Sequence, residues 1–122
     1  MHTLLLLGSL SMAAVVILGA FGGHALKRKL TPERMSIFQI GVQYHIAHGL
    51  GLLLLGALAS GALTGELVVI AGWLLFVGIV LFSGSLYALA ITNVKALGAI
   101  TPVGGLAFIA GWIVLAVAVL AG

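Results

Sequence analysis

Long apolar runs fill most of the chain, and charged residues interrupt them at only three places: a cluster at 27–34, Glu66 and Lys95. A bilayer core of about 30 Å requires roughly 20 helical residues to cross it. The apolar runs do not show the alternation typical of membrane β-strands. They predict an all-α integral membrane four-helix bundle with spans at about residues 3–24, 44–63, 67–87 and 102–121.

The composition excludes an ordinary soluble domain. Of the 122 residues, 63% are hydrophobic and 6% are charged, against about 25% charged in soluble proteins. A secretory signal peptide is the alternative for the first span, but such a peptide carries its basic residues before the apolar region. Here Lys27, Arg28 and Lys29 follow it. An uncleaved helix is therefore expected, in one membrane domain covering residues 1–122.

The basic residues predict the orientation. All five Lys and Arg fall in the first and third loops, and the positive-inside rule places those loops in the cytoplasm and both termini outside. The first of them is a basic cytoplasmic loop covering residues 25–43. Basic side chains near the membrane surface attract anionic lipid. The candidates for headgroup contact are Lys27, Arg28, Lys29 and Arg34.

A helix start is expected at Thr31-Pro32-Glu33, with Thr31 as N-cap, Pro32 at the first helical position and an acid in the first turn. Thr101-Pro102 repeats this signal for the fourth helix. Counting back about 20 residues from the turn after Leu63 places Tyr44 at the inner interface. Residues 32–43 then form either an interfacial helix or a helix extension that projects into the cytoplasm.

Polar side chains gather at the inner ends of the predicted spans. Interhelical hydrogen bonds that hold the bundle in register are one explanation. A binding site is the other, because polar groups at membrane depth are functional candidates. The candidate residues are His24, Gln39, Gln43, Tyr44, His45, His48, Ser83, Ser85, Tyr87, Asn93 and Thr101.

The histidines raise the question of a metal or haem. His45 and His48 are three residues apart, so both rings face one side of a helix, with His24 near the same end. No carboxylate accompanies them, although carboxylates commonly orient metal-binding histidines. The expectation is therefore no metal and no cofactor. The 18 glycines at helical spacings predict close helix contacts and, because such faces are numerous, a homo-oligomer.

No catalytic motif is present: cysteine is absent, and there is neither a nucleophile elbow nor a His-Glu-x-x-His pair. These features favour a non-enzymatic membrane protein whose inner polar end binds a lipid headgroup, a small molecule or a protein partner. Nucleic acid is not expected as a partner, because the basic cluster is small and lies close to the bilayer. The alternative is a small oligomeric transporter or channel that uses the cluster as its inner vestibule. A transport path requires polar or gated groups along its whole length. The polar side chains of this chain gather at the inner ends of the spans only, which argues against transport.

Three segments resemble signatures of the domain of unknown function 423 family of small membrane proteins, which is related to the transmembrane protein 256 group. The segments are Gly19 to Leu26, Gln43 to Leu50, and Phe82 to Tyr87 followed by Leu97 to Gly105. One departure is Gly23, where the family is alanine-like. The resemblance implies a four-helix protein of a bacterial cytoplasmic membrane, and it implies no established activity.

Overall fold

The polypeptide folds into four long helices, as its apolar runs predict. The structure, a computed structural model, describes residues 2–122. The helices are α1 (His2–Leu26), α2 (Pro32–Ala59), α3 (Glu66–Thr92) and α4 (Thr101–Ala121), with a short 3-10 helix at Lys95–Ala99 before α4. All four are long and apolar enough to cross a membrane.

Local sequence signals explain most of the helix ends. The Thr31 hydroxyl accepts a hydrogen bond from the Arg34 backbone N–H at 3.2 Å, which confirms the predicted N-cap of α2. Asn93 ends α3 in the left-handed conformation with a φ of 57°, which short polar side chains tolerate. The predicted start of α4 at Thr101-Pro102 is confirmed, but Ile100 takes the N-cap position and the Thr101 hydroxyl makes no cap.

The residues predicted as a basic loop at 25–43 are mostly helical. Helix α1 continues to Leu26 and α2 begins at Pro32, so the connection covers only residues 27–31. The first part of α2 is not a separate interfacial helix, because it belongs to one continuous 28-residue helix. Phe38 is fully buried there and packs with Val15, Val42 and Ala90. Residues 32–43 therefore belong to the packed bundle.

Helices α2 and α3 form the centre of the bundle. Helix α2 packs against α1 and α3, and α3 also packs against α4. In the most apolar stretch of each helix, 50% of α2 residues and 39% of α3 residues are buried, against 22% in α1 and α4. The connection at 27–31 and the residues at 93–100 share one end, which we call the basic end. The start of α1 and the end of α4 lie at the opposite, terminal end.

Two apolar clusters form the core. One, toward the terminal end, includes Leu4, Leu52, Leu55 and Leu75. The other, toward the basic end, surrounds Phe38. Gly104 allows α3 and α4 to approach each other closely, since a Cβ at this position would collide with the Phe82 backbone. Close backbone approach at small residues is a common basis of helix association in lipid.

Two helices contain a π-helical turn. One covers Ile17–Gly22 in α1, and the other covers Ile79–Ser83 in α3. A π turn holds an extra residue and is frequent at functional sites. The turn in α3 ends at Ser83, whose side chain faces α2.

Candidate functional site

The predicted polar residues separate into two groups. The mid-bundle cluster contains His45, His48, Ser83, Tyr87 and Trp112, with Tyr44, Phe82 and Phe108 around them. The other predicted residues lie toward the basic end or on the outside of the bundle. His45 and His48 lie near the middle of α2, because the helix continues for twelve residues before Tyr44. Counting back from Leu63 therefore placed them too close to the inner end.

His48 is held on both sides of its ring. Its Nδ1 lies 2.8 Å from the backbone carbonyl oxygen of Tyr44, and the Trp112 indole N–H donates to its Nε2 at 3.0 Å. A carbonyl oxygen only accepts and an indole N–H only donates. These partners therefore assign the proton to Nδ1 of a neutral imidazole. Neither nitrogen has a lone pair left for a metal ion.

Aromatic rings cover the same imidazole. The Phe108 ring stacks on it with centroids 3.6 Å apart and an interplanar angle of 13°. Tyr44 lies parallel to it at 6.1 Å, and the Tyr44 and Phe82 centroids are 4.4 Å apart. His48 is 7% exposed. The ring therefore joins α2 to α4 by packing as well as by its hydrogen bond.

Two polar contacts join α2 to α3. The Tyr87 hydroxyl lies 2.8 Å from Nδ1 of His45, and the Ser83 hydroxyl donates to the Gly41 carbonyl oxygen at 2.8 Å. Gly41 allows this approach, since a Cβ there would lie 2.8 Å from the Tyr87 ring. Ser85 and Thr101 join α3 to α4 with their hydroxyl oxygens 2.6 Å apart.

The buried polar atoms of the mid-bundle cluster are bonded within the protein, although His45 also lines an apolar cavity of about 300 Å³ with Ser11 and Ile79. Among residues 2–122, no buried side-chain nitrogen or oxygen lacks a hydrogen-bond partner. In the same part of the chain, no group of three or more His, Cys, Asp or Glu side chains is arranged to hold a metal ion. His24, the third histidine considered for metal or haem, is exposed near the end of α1. The arrangement is that of a structural clasp between helices.

The basic end carries exposed charge. Lys27, Arg28 and Lys29 are all exposed in the short connection. Arg34 has a different position, because its Nε and Nη2 donate to the carbonyl oxygens of Ala90 and Ile91 at 2.8 and 2.7 Å. It thus satisfies two carbonyls at the end of α3, where cations are favourable. Asn93 is exposed at this end.

Two cavities share Gln39 as a lining residue, one between α1 and α2 and the other between α2 and the connection at 27–31, and together we call them the α1–α2 cleft. The lower cavity, of about 370 Å³, is lined by apolar residues such as Val15, Gly19 and Ile46, and by Gln39. The upper cavity, of about 520 Å³, is lined by Lys27, Ser36 and again Gln39. Gln39 is exposed, and its amide nitrogen lies 4.0 Å from the Met35 sulfur. The upper cavity is also largely apolar, through Leu30, Pro32 and Met35, but it adds the hydroxyl of Ser36 and the charge of Lys27.

Comparison with known proteins gives the chain a family. A family model described as protein of unknown function (DUF423) matches residues 18–105. The chain belongs to this family. The identification confirms the resemblance noted in the sequence, while the relation to the transmembrane protein 256 group stays a prediction.

Relatives in the DUF423 family are similar over nearly their whole length. A UPF0382 membrane protein of Staphylococcus epidermidis is 53% identical over 120 residues, which is 98% of this chain and 97% of the relative. A UPF0382 membrane protein of Bacillus subtilis is 48% identical over 118 residues, which is 97% of this chain and 96% of the relative. These names place the relatives in bacterial membranes and assign them no enzymatic activity. No solved structure gives a significant match.

The part of the chain that matches the DUF423 model contains most of the three regions described above. It includes the basic end, most of the α1–α2 cleft, and the mid-bundle cluster except Phe108 and Trp112. Trp112 was given no functional role from the sequence, and its hydrogen bond to His48 was therefore not predicted. A signal was available, because a Trp N–H within a span requires an acceptor. Nothing in the sequence pairs α4 with that face of α2.

Proposed function

We propose that this DUF423 protein is a non-enzymatic membrane protein that binds one anionic phospholipid in the α1–α2 cleft. The headgroup lies at the basic end, which faces the cytoplasm, and an acyl chain follows the apolar lower cavity. The observation that carries the proposal is Lys27, which lines the upper cavity beside Ser36, while the lower cavity has no charged lining residue. An acyl chain in the lower cavity would thus have its headgroup near a cation.

Headgroup contacts must supply most of the preference for a bound lipid. An acyl chain gains little by leaving the bilayer for an equally apolar cleft, because no hydrophobic force acts between apolar groups in lipid. Basic residues near an anionic surface contribute about 1 kcal/mol each. The three exposed cations at 27–29 therefore favour a negative headgroup.

The charge around the cleft is of one sign. Lys27 lines the upper cavity, and no acid lines either part of the cleft among residues 2–122. Glu33, the acid nearest in sequence, lines a different cavity with Arg34 and Lys95. An anionic headgroup in the cleft thus meets Lys27 without a competing carboxylate.

Native mass spectrometry of the purified protein with phosphatidylglycerol or phosphatidylcholine tests the charge requirement. We expect one phosphatidylglycerol per chain to survive detergent removal, and less phosphatidylcholine. Replacing Lys27, Arg28 and Lys29 with Gln should remove the preference. Lys95→Gln, a matched loss of charge at the same end, should keep it. Equal retention of the two lipids by the native chain would overturn the proposal.

A second arm tests the cleft itself. Gly19 lines the lower cavity, and a Cβ there meets only Val42 at 3.5 Å. Gly19→Leu should fill the cavity and reduce lipid retention while leaving the fold intact. Gly84→Leu is the control, because a Cβ at Gly84 has no neighbour within 4 Å. If both variants retain lipid like the native chain, the lipid does not occupy this cleft.

A transporter or channel remains the second candidate, and the geometry offers it less support. Its vestibule would use His45, His48 and Ser83, whose polar atoms bond within the protein. Substrate-dependent flux in proteoliposomes that is lost in a His48→Ala variant would favour transport over lipid binding.

A further inference from the structure

The outward face of α2 carries an amide that has no partner in the chain. Gln43 is exposed and makes no hydrogen bond with any residue in the range 2–122. Its neighbours on the face, at helical spacing, are also exposed: Ser36, Ile40, Ala47, Leu50 and Leu54. Gln43 is thus a polar group on a surface that otherwise faces hydrocarbon.

Its position along α2 places Gln43 well inside the membrane. The helix has 28 residues and is about 42 Å long, which exceeds a hydrocarbon core of about 30 Å. Gln43 is its twelfth residue, about 16 Å from the Pro32 end. If the helix is centred in the bilayer, the amide lies about 10 Å inside the core.

An amide in this position requires a hydrogen-bond partner. Lipid chains offer neither donors nor acceptors, and an unpaired amide in an apolar medium costs several kcal/mol. The α1–α2 cleft does not satisfy it, since Gln39 lines that cleft and Gln43 does not. The partner must therefore come from outside the chain.

We propose that two copies of the chain pack through this face of α2, with their Gln43 amides hydrogen-bonded to each other. A glutamine amide both donates and accepts, so it is complementary to itself across a two-fold axis. Ala47, one turn away on the same face, is small enough for the two helices to approach closely. No charged residue lies on this face from Ser36 to Leu54, so like charges do not oppose the contact.

Disulfide formation between single cysteines tests the interface, because the natural chain has none. Gln43→Cys and Ala47→Cys chains, purified and reconstituted in liposomes, should form covalent dimers on mild oxidation. Val80→Cys is the matched control: Val80 is 54% exposed on α3 at a similar distance from the basic end. Cross-linking at position 80 equal to that at 43 would overturn the proposal.

The role of the amide is tested without cysteine. Energy transfer between labelled chains, measured as they are diluted with lipid, gives the dimer dissociation constant. Gln43→Leu should weaken the dimer by about 3- to 18-fold, the range for a hydrogen bond between membrane helices. Val80→Leu should leave it unchanged. A monomer at every dilution, or cross-linking in whole cells only to a different protein, would contradict a second copy. Neither result bears on lipid binding in the cleft.

Discussion

Helix α2 carries polar side chains on two faces that meet opposite conditions. Toward α3 and α4, His45 and His48 are buried and hydrogen-bonded to Tyr87, Tyr44 and Trp112. Toward the outside, Gln39 and Gln43 are exposed, and neither has a strong hydrogen bond within residues 2–122. The two histidines, which the sequence singles out as candidate ligands, are engaged in contacts between helices. The two glutamine amides are available to bind a partner. Within this helix, exposed polar groups are better functional candidates than buried ones.

The largest effect should come from the buried face. Gly41→Ala places a methyl group 2.8 Å from the Tyr87 ring and so displaces the partner of His45. Overpacking of this kind costs about 2 kcal/mol, which should appear as a lower midpoint of thermal unfolding in detergent. Gly84→Ala makes the same chemical change in open space and should gain about 0.5 to 1 kcal/mol from helix propensity. Equal midpoints would show that the α2–α3 contact is loose.

An intermediate effect is expected at the clasp between α2 and α4. His48→Leu leaves the Trp112 N–H without its acceptor and should destabilise the protein by about 1 kcal/mol. His48→Gln restores an acceptor and should recover part of the loss. Trp112 fluorescence, measured with Trp73→Phe, should shift in the Leu variant and less in the Gln variant. If the two variants behave identically, the hydrogen bond does not stabilise the bundle.

The smallest effect should come from the outward face. Gln43→Leu in nanodiscs that hold one chain should change the unfolding free energy by less than about 0.5 kcal/mol, because the side chain is exposed and makes no hydrogen bond within residues 2–122. Thermal unfolding alongside the His48 variants measures this. A loss as large as that of His48→Leu would remove the distinction between the two faces.

The fold was accessible from the sequence because composition and run length decide it. Four apolar runs and the Thr31-Pro32 start predict the helices, and the structure confirms both. The position of the polar residues along α2 was not accessible, since counting about 20 residues per span assumes a helix that stops at the membrane interface. Helix α2 is longer than that and begins twelve residues before Tyr44, in a stretch where Phe38 and Arg34 have partners on α3 that are remote in sequence.

The candidate site was predicted only in part for the same reason. Histidine spacing within α2 places His45 and His48 near each other, but their partners lie on other helices. Arg34 was predicted to contact lipid, while its position against Ala90 and Ile91 depends on where α3 ends. Periodicity describes one helix at a time and therefore does not identify contacts between helices.

The π-helical turn at Ile79–Ser83 sets the rotational phase of the second half of α3. Each residue advances an α-helix by about 100°, and a π turn accommodates one residue more than the α-helical path requires. Leu75 and Tyr87 are twelve residues apart, which in a regular α-helix would turn them about 120° from each other. The π turn takes up one residue, so the offset falls to about 20°, and one face of the helix carries both Leu75 in the leucine core and Tyr87 against His45. Deleting a residue within the turn would convert it to a regular α-helix and keep this alignment, whereas deleting a residue elsewhere between the two side chains, with the π turn kept, would swing Tyr87 by about 100° away from His45. The position of a deletion in this stretch therefore decides its effect.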